Sequence, residues 1–206
     1  MATFRGINAE DSPSSPESPR ILPIVQAGHP VLRQQAASVA PGDLRRREFV
    51  ELIEAMRETM RSAPGVGLAA PQIGESLAIA VIEDRADYQA RLTREELEAR
   101  ERQPVPFHVI ANPRLTVIDP GPVAFTEGCL SVTGYAAVTA RAAAVRVDAL
   151  DHRGEPIVIE ARGWYARILQ HEIDHLNGTL YVDRMDTRTF TFVGTPPPAL
   201  TPGRQR

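Results

Sequence analysis

Lysine is missing from this 206-residue chain: all 23 basic residues are arginine. Without a side-chain amine, Schiff-base and lysine-nucleophile mechanisms are excluded, and the case for pyridoxal chemistry, whose cofactor needs a lysine, is weakened. Cysteine is almost missing too. The single Cys129 leaves no intramolecular disulfide to form, which suits a reducing compartment and makes the cytoplasm the expected location. Net charge is small, at -3, so the basic footprint of a DNA-binding protein is lacking. No apolar run approaches the ~20 residues of a membrane span, and no membrane association is expected. The N-terminus has no apolar signal region, and Glu10, Asp11 and Glu17 argue against a transit peptide. A lone cysteine is then the first place to look for a metal ligand or a nucleophile.

The length suits one domain. Residues 1–20 are rich in Ser and Pro, residues 194–206 are rich in Pro, and neither carries much that packs, so they read as a disordered leader and a disordered tail around a folded domain over 21–193. Residues 21–31 form an extended lead-in anchored by Leu32. Asp43 is placed to cap a helix whose apolar positions Phe49, Ile53, Met56 and Met60 recur every three or four residues; Pro64 stops it. A glycine-rich stretch, 65–74, follows; it lacks the lysine and spacing of a phosphate loop. Residues 77–82 read as a buried strand. Residues 84–103 form a charged insertion with a solvated face and a capping box at Thr93 and Glu96. Separate short strands are expected at 107–111, 115–118 and 123–126, with turns at Asn112-Pro113 and Pro120-Gly121. Two more, 143–150 and 156–161, flank a hairpin loop at 151–154. Strands dominate the middle and helices the ends, which predicts an α+β fold with mixed or antiparallel sheets.

Near the C-terminal end stands Gln170-His171-Glu172-Ile173-Asp174-His175, inside a predicted helix over 163–177. Four residues apart, His171 and His175 project from one helical face. One metal ion can take both imidazoles, and Glu172 beside them is placed as a general base. A catalytic site needs a third protein ligand and a position left for water. A histidine six residues after His175 would supply it in one protease pattern, but that residue is Tyr181. A downstream glutamate would supply it in another, but no glutamate follows Glu172. Upstream remain His29, His108, His152, several carboxylates and Cys129. The residues favour Cys129, because a glycine precedes it in Glu127-Gly128-Cys129-Leu130-Ser131 and because a thiolate with two imidazoles suits a divalent transition metal. Two alternatives stay open: a zinc endopeptidase with another third ligand, and a structural metal site closed by a fourth ligand such as His29 or His108.

Taken together, G-V-G-L-A-A-P-Q-I-G at 65–74, E-G-C-L-S at 127–131 and Q-H-E-I-D-H at 170–175 resemble the three signature motifs of the peptide deformylase family, in the family's order. The similarity covers 21–190. It implies mixed sheets packed around a central metal-binding helix, and an N-terminal helix. It implies a ferrous ion on Cys129, His171 and His175, with zinc or nickel as substitutes. The implied reaction removes the formyl group from N-formylmethionyl nascent peptides, releases formate, and takes place at or near the ribosome. Glu172 would be the base, while the Gln72 amide and the Leu130 backbone N–H would stabilise the oxyanion. Gly67 would offer its backbone to the peptide, and Val66, Trp164 and Ile168 would wall the methionine side chain. Glu127 and Arg141 would pair to brace the Cys129 strand. Many relatives have proline at Thr133 and arginine at Ala136, so substrate contacts beyond the first residue are expected to differ here.

Overall fold

The computed structural model describes residues 20–63 and 65–194. The predicted leader and tail therefore lie outside the described residues but for Arg20 and Gly194, as does the helix stop at Pro64. The chain enters through a 3-10 turn at Pro30–Arg33 that buries Leu32 completely, and a second at Asp43–Arg45. The elements then run α1 (Arg47–Ser62), β1 (Gly67–Ala69), β2 (Ile79–Asp84), α2 (Ala86–Gln89), α3 (Arg94–Ala99), β3 (Val105–Gly128), β4 (Tyr135–Leu150), β5 (Pro156–Arg162), α4 (Gly163–Leu176) and β6 (Thr191–Phe192). The strands make one antiparallel sheet in the order β1-β2-β3-β4-β5, with β6 added to β4. The expected α+β class holds.

Helices cover the sheet on both faces. In β2, Ile79 and Val81 point to α1 and join Ile53, Met56, Met60 and Leu68 in one core. Ala80 and Ile82 point the other way and join Leu169, Ile173 and Leu176 of α4. Alternate side chains serve opposite faces, so a strand covered on both sides reads as an unbroken apolar run.

Four local expectations change. Asp43 does not cap α1: it opens its own 3-10 turn and pairs with Arg46 at 3.1 Å, and the α1 N-cap is Arg46. The strand expected at 77–82 runs over Ile79–Asp84. The three short strands are one, β3, because β4 offers a hydrogen-bonding partner along its whole length. The turn dipeptides appear as register shifts within that ladder, and Asn112 at φ 49° spends its side-chain amide on both backbone groups of Val39. The insertion is not wholly solvated either: α3 has the expected Thr93–Glu96 capping box, but Asp84 and Gln89 are buried.

Candidate metal centre

α4 is buried over most of its length although it carries Arg167, Glu172, Asp174 and His175. Buried charge is tolerated only where it is paired or employed, and ion pairs account for Arg167 and Asp174. Two hydrogen bonds from Gln170 dock the helix: its amide meets the N–H and the carbonyl of Ala142 on β4, each at 3.0 Å. That contact turns the His171–His175 face toward the end of β3, where Cys129 follows Gly128.

There the three expected ligands converge. The ligand atoms of Cys129, His171 and His175 all lie within 4.8 Å of one another, with Cys129 Sγ 3.3 Å from His175 Nε2. Tetrahedral bonds of about 2.0–2.3 Å would separate such atoms by roughly 3.5 Å, so the set can close on one ion. His171 Nδ1 meets Glu127 Oε2 at 3.1 Å, which leaves its Nε2 free for an ion. Burial lowers the pKa of His171, yet Cys129 and Glu127 outweigh it and raise the pKa well above the ordinary value. Cys129 and Glu127 thus favour positive charge at His171. Burial drives His175 well below its ordinary value and keeps that imidazole neutral, the form that ligates. Among the described residues no fourth histidine or cysteine joins the group. His29 caps the first 3-10 turn through Val31 N–H, and His108 bonds Tyr165 at 2.9 Å, so neither closes a structural site. Tyr181, where one protease pattern has its third ligand, is buried and stacks on His171 at 6.4 Å.

Beside the ligands lies a cavity of about 260 Å³. It is lined by Val66, Gly67, Gln72, Cys129, Leu130, Trp164, Ile168, His171 and Glu172 among others, so every expected catalytic and substrate-binding residue borders one space. Glu172 is 3% exposed and its Oε2 has no partner. Burial pushes its carboxyl up to about 7, the range in which a carboxylate exchanges protons near neutrality. Gly67 leaves the space that Glu172 occupies: a Cβ there would fall 2.1 Å from Glu172 Oε1, so the carboxylate would have to shift. Gln72 is oriented through its Oε1, which accepts from Ala69 N–H at 2.9 Å. Its Nε2 therefore faces Ser131 Oγ at 3.3 Å and Cys129 Sγ at 3.6 Å. Leu130 N–H finds no acceptor among the described residues.

Behind the ligands is a charge network only partly visible in the sequence. Arg141 forks onto both oxygens of Glu127 at 2.9 Å and also pairs with Asp174. Arg184 forks onto Asp174 at 2.7 and 2.8 Å. The expected Glu127–Arg141 pair is thus a buried bidentate bridge. Burial favours the neutral form of Glu127, but Arg141 and His171 overcome it and hold the carboxyl far below the carboxylate range. Arg167 was not anticipated. It bonds Glu127 and the Thr139 carbonyl and borders the cavity; its one sequence signal is a charge one helical turn before His171, amid apolar neighbours. Ser131, completely buried beneath Gln72, gave no signal. Thr133 is exposed and bonds the Leu130 carbonyl at 3.2 Å, while Ala136 is buried between Gly128 and Thr191.

Comparison with known proteins agrees with this geometry. The polypeptide deformylase family model matches residues 21–190. A peptide deformylase of Streptomyces avermitilis is 50% identical over 175 residues, covering 82% of this chain and 74% of its own length. A chloroplastic peptide deformylase of Solanum lycopersicum is 44% identical over 92% of this chain, which spans 66% of that longer protein. A Met-Ala-Ser-bound class I type b peptide deformylase from Acinetobacter baumannii superimposes with a TM-score of 0.72 at 31% identity, covering 82% of this chain and all of that one. No described helix is long and apolar enough to cross a membrane. The chain belongs to the polypeptide deformylase family, metal-dependent hydrolases that remove the N-formyl group from nascent polypeptides.

Proposed function

We propose that deformylation takes place in the cavity beside Cys129, His171 and His175, on the N-formylmethionyl end of a nascent chain. One observation carries the reading: a thiol and two imidazoles converge within 4.8 Å beside a buried carboxylate with an unpartnered oxygen. The three ligands would hold ferrous iron, and their mixed sulfur–nitrogen character also suits zinc or nickel. Such an ion, when bound, supplies Lewis acidity toward water and toward a formyl oxygen.

The remaining work belongs to the protein. Glu172 takes the proton of the attacking water and later returns it to the departing nitrogen, so that formate and a free amine leave and its carboxylate is restored. Gln72 Nε2 and Leu130 N–H are donors fixed in advance for the developing oxyanion. Among the described residues β1 has a strand partner only in β2, so its other edge at Gly67 can take an extended peptide backbone. Val66, Trp164 and Ile168 give the methionine side chain an apolar wall. A lone thiol that must stay reduced favours the cytoplasm, and a nascent substrate places the enzyme's work at or near the ribosome.

The test uses the full chain purified anaerobically, with metal content measured and formate release followed on a formyl-Met peptide. Wild type is expected to release formate, and Glu172→Ala to lose about 10²–10⁴ of the rate while keeping its metal. Undiminished activity in Glu172→Ala would remove the base from the mechanism. Absence of formate from metal-loaded wild type would overturn the reading as a whole.

A further inference from the structure

Trp164 is the only tryptophan in the chain and stands in the cavity wall. Three guanidinium groups surround its ring: Arg102 at 5.0 Å, Arg100 at 5.1 Å and Arg167 at 5.8 Å, with Phe125 edge-on at 6.2 Å. All three lie within the ~6 Å over which a ring face attracts a cation. Arg167 belongs to the charge network of the metal centre. Arg100 and Arg102 come from the charged insertion between β2 and β3, which no catalytic step uses.

The insertion grips Trp164 at two levels. Arg162, the N-cap of α4, supplies no side-chain cap, and Trp164 N–H is bound instead by the Arg100 carbonyl at 2.8 Å. The approach is close enough that a Cβ on Gly163 would fall 2.6 Å from that carbonyl oxygen and 2.5 Å from Glu101 Cβ. At the side-chain level, Arg102 lies over the indole and forks onto Asp84 with two bonds of 2.8 Å. The Asp84 side chain is fully buried and takes a further bond from Gln89 at 3.3 Å. Guanidinium planarity matters here, since one face can stack on the ring while the edge stays bonded to the carboxylate.

We propose that the Asp84–Arg102 pair is a specificity-determining positioning element: through Arg102 stacked on Trp164 it sets the width of the apolar end of the cavity, and with it the preference for the side chain of the formylated residue. The other apolar walls, Val66 and Ile168, are aliphatic and packed on the core. The indole is the wall residue that the insertion grips, through the Arg100 carbonyl and through Arg102. Freed from Arg102, it can swing outward and lose contact with a long unbranched side chain, while the ligands and Glu172 stay in place. The inference rests on the deformylase reading of the cavity.

The experiment compares wild type, Arg102→Met, Arg102→Lys and Asp84→Asn/Arg102→Met. The double variant removes both charges together, so that no buried aspartate is left unpaired if the single variant folds poorly. Two readouts are taken on metal-loaded protein of verified content: kcat and KM on formyl-Met and formyl-Ala peptides, and Trp164 emission with acrylamide quenching. In Arg102→Met and the double variant, KM for the formyl-Met peptide should rise about tenfold with kcat within about threefold, and the Met-over-Ala ratio of kcat/KM should fall about tenfold. Emission should shift to the red with greater quenching, and Arg102→Lys should recover only part of the loss. An unchanged Met-over-Ala ratio in active variants overturns the proposal, as does unchanged emission. Failure of wild type to release formate from either peptide would sink the deformylase reading itself, a result distinct from an active enzyme whose preference does not move.

Discussion

At the scale of single residues, the site depends on groups whose freedom has been removed. Gln72 can offer its Nε2 to an oxyanion because Ala69 N–H has claimed Oε1, so the amide cannot flip without losing that bond. Gln72→Leu is expected to keep its metal and fold but to lower kcat by about 10²–10³, equivalent to about 2.7–4 kcal/mol of barrier; metal analysis alongside steady-state kinetics checks this. Gly67 works by leaving space. A methyl group would overlap Glu172 Oε1 at 2.1 Å, and the carboxylate would have to leave its position. Gly67→Ala should therefore cost about as much rate as Glu172→Ala, roughly 10²-fold or more, with all three ligands untouched. Wild-type kinetics in that variant would show that the carboxylate has room to move.

At the scale of elements, α4 holds the chemistry while α1 and the insertion hold the sheet and the cavity wall around it. Arg61 of α1 forks onto Glu83 of β2 at 2.7 and 2.8 Å. That hydrogen bond is the largest cause holding the Glu83 carboxyl below its ordinary value of 4.5. A carboxylate with a depressed folded pKa contributes stability that is present above its unfolded pKa and is lost as pH falls through the folded one. Glu83→Gln should thus be less stable than wild type by about 1–2 kcal/mol at pH 7. The gap should begin to narrow as pH drops below 4.5 and close only once pH has fallen through the lower folded pKa, where wild type itself loses the ionised partner. Urea midpoints at the two pH values decide it: a gap that persists in acid would mean that packing, not charge, carries the effect.

Across the whole molecule, Arg141 is the tie between the long hairpin and the metal helix. From β4 it reaches Glu127 at the end of β3 and Asp174 on α4, so one side chain registers the Cys129 ligand against the two histidines. Its removal leaves two buried carboxylates short of a partner, a situation that typically costs about 3–5 kcal/mol. Arg141→Met should therefore lower the free energy of unfolding by that amount even though no atom of Arg141 needs to touch substrate. Calorimetric or denaturant unfolding checks it, and a loss below about 1 kcal/mol would mean that Arg167 and Arg184 suffice.

Much of the site was legible in one dimension because its residues are local. His171, Glu172 and His175 share a helical turn, so helical periodicity alone brings them together. Cys129 could be singled out because it is the chain's one thiol and the two familiar routes to a third ligand were closed by Tyr181 and by the lack of later glutamate. The α+β class followed from strand-rich spacing. Other features required the fold, since they join positions far apart in the chain. Asn112-Pro113 and Pro120-Gly121 read as turns by local preference, yet β4 offers hydrogen bonds across them, and pairing turned three strands into one bent strand. Arg167 and Ser131 look ordinary in sequence; only the end of β3 lying against α4 gives them their partners. The charged insertion read as a solvated face, because burial of Asp84 and the stacking of Arg102 on Trp164 depend on contacts that no local pattern encodes. Sequence determined which chemistry was available, through residue type and helical period; tertiary packing decided which distant groups orient it, because hydrogen bonds and close contacts form between neighbours in space.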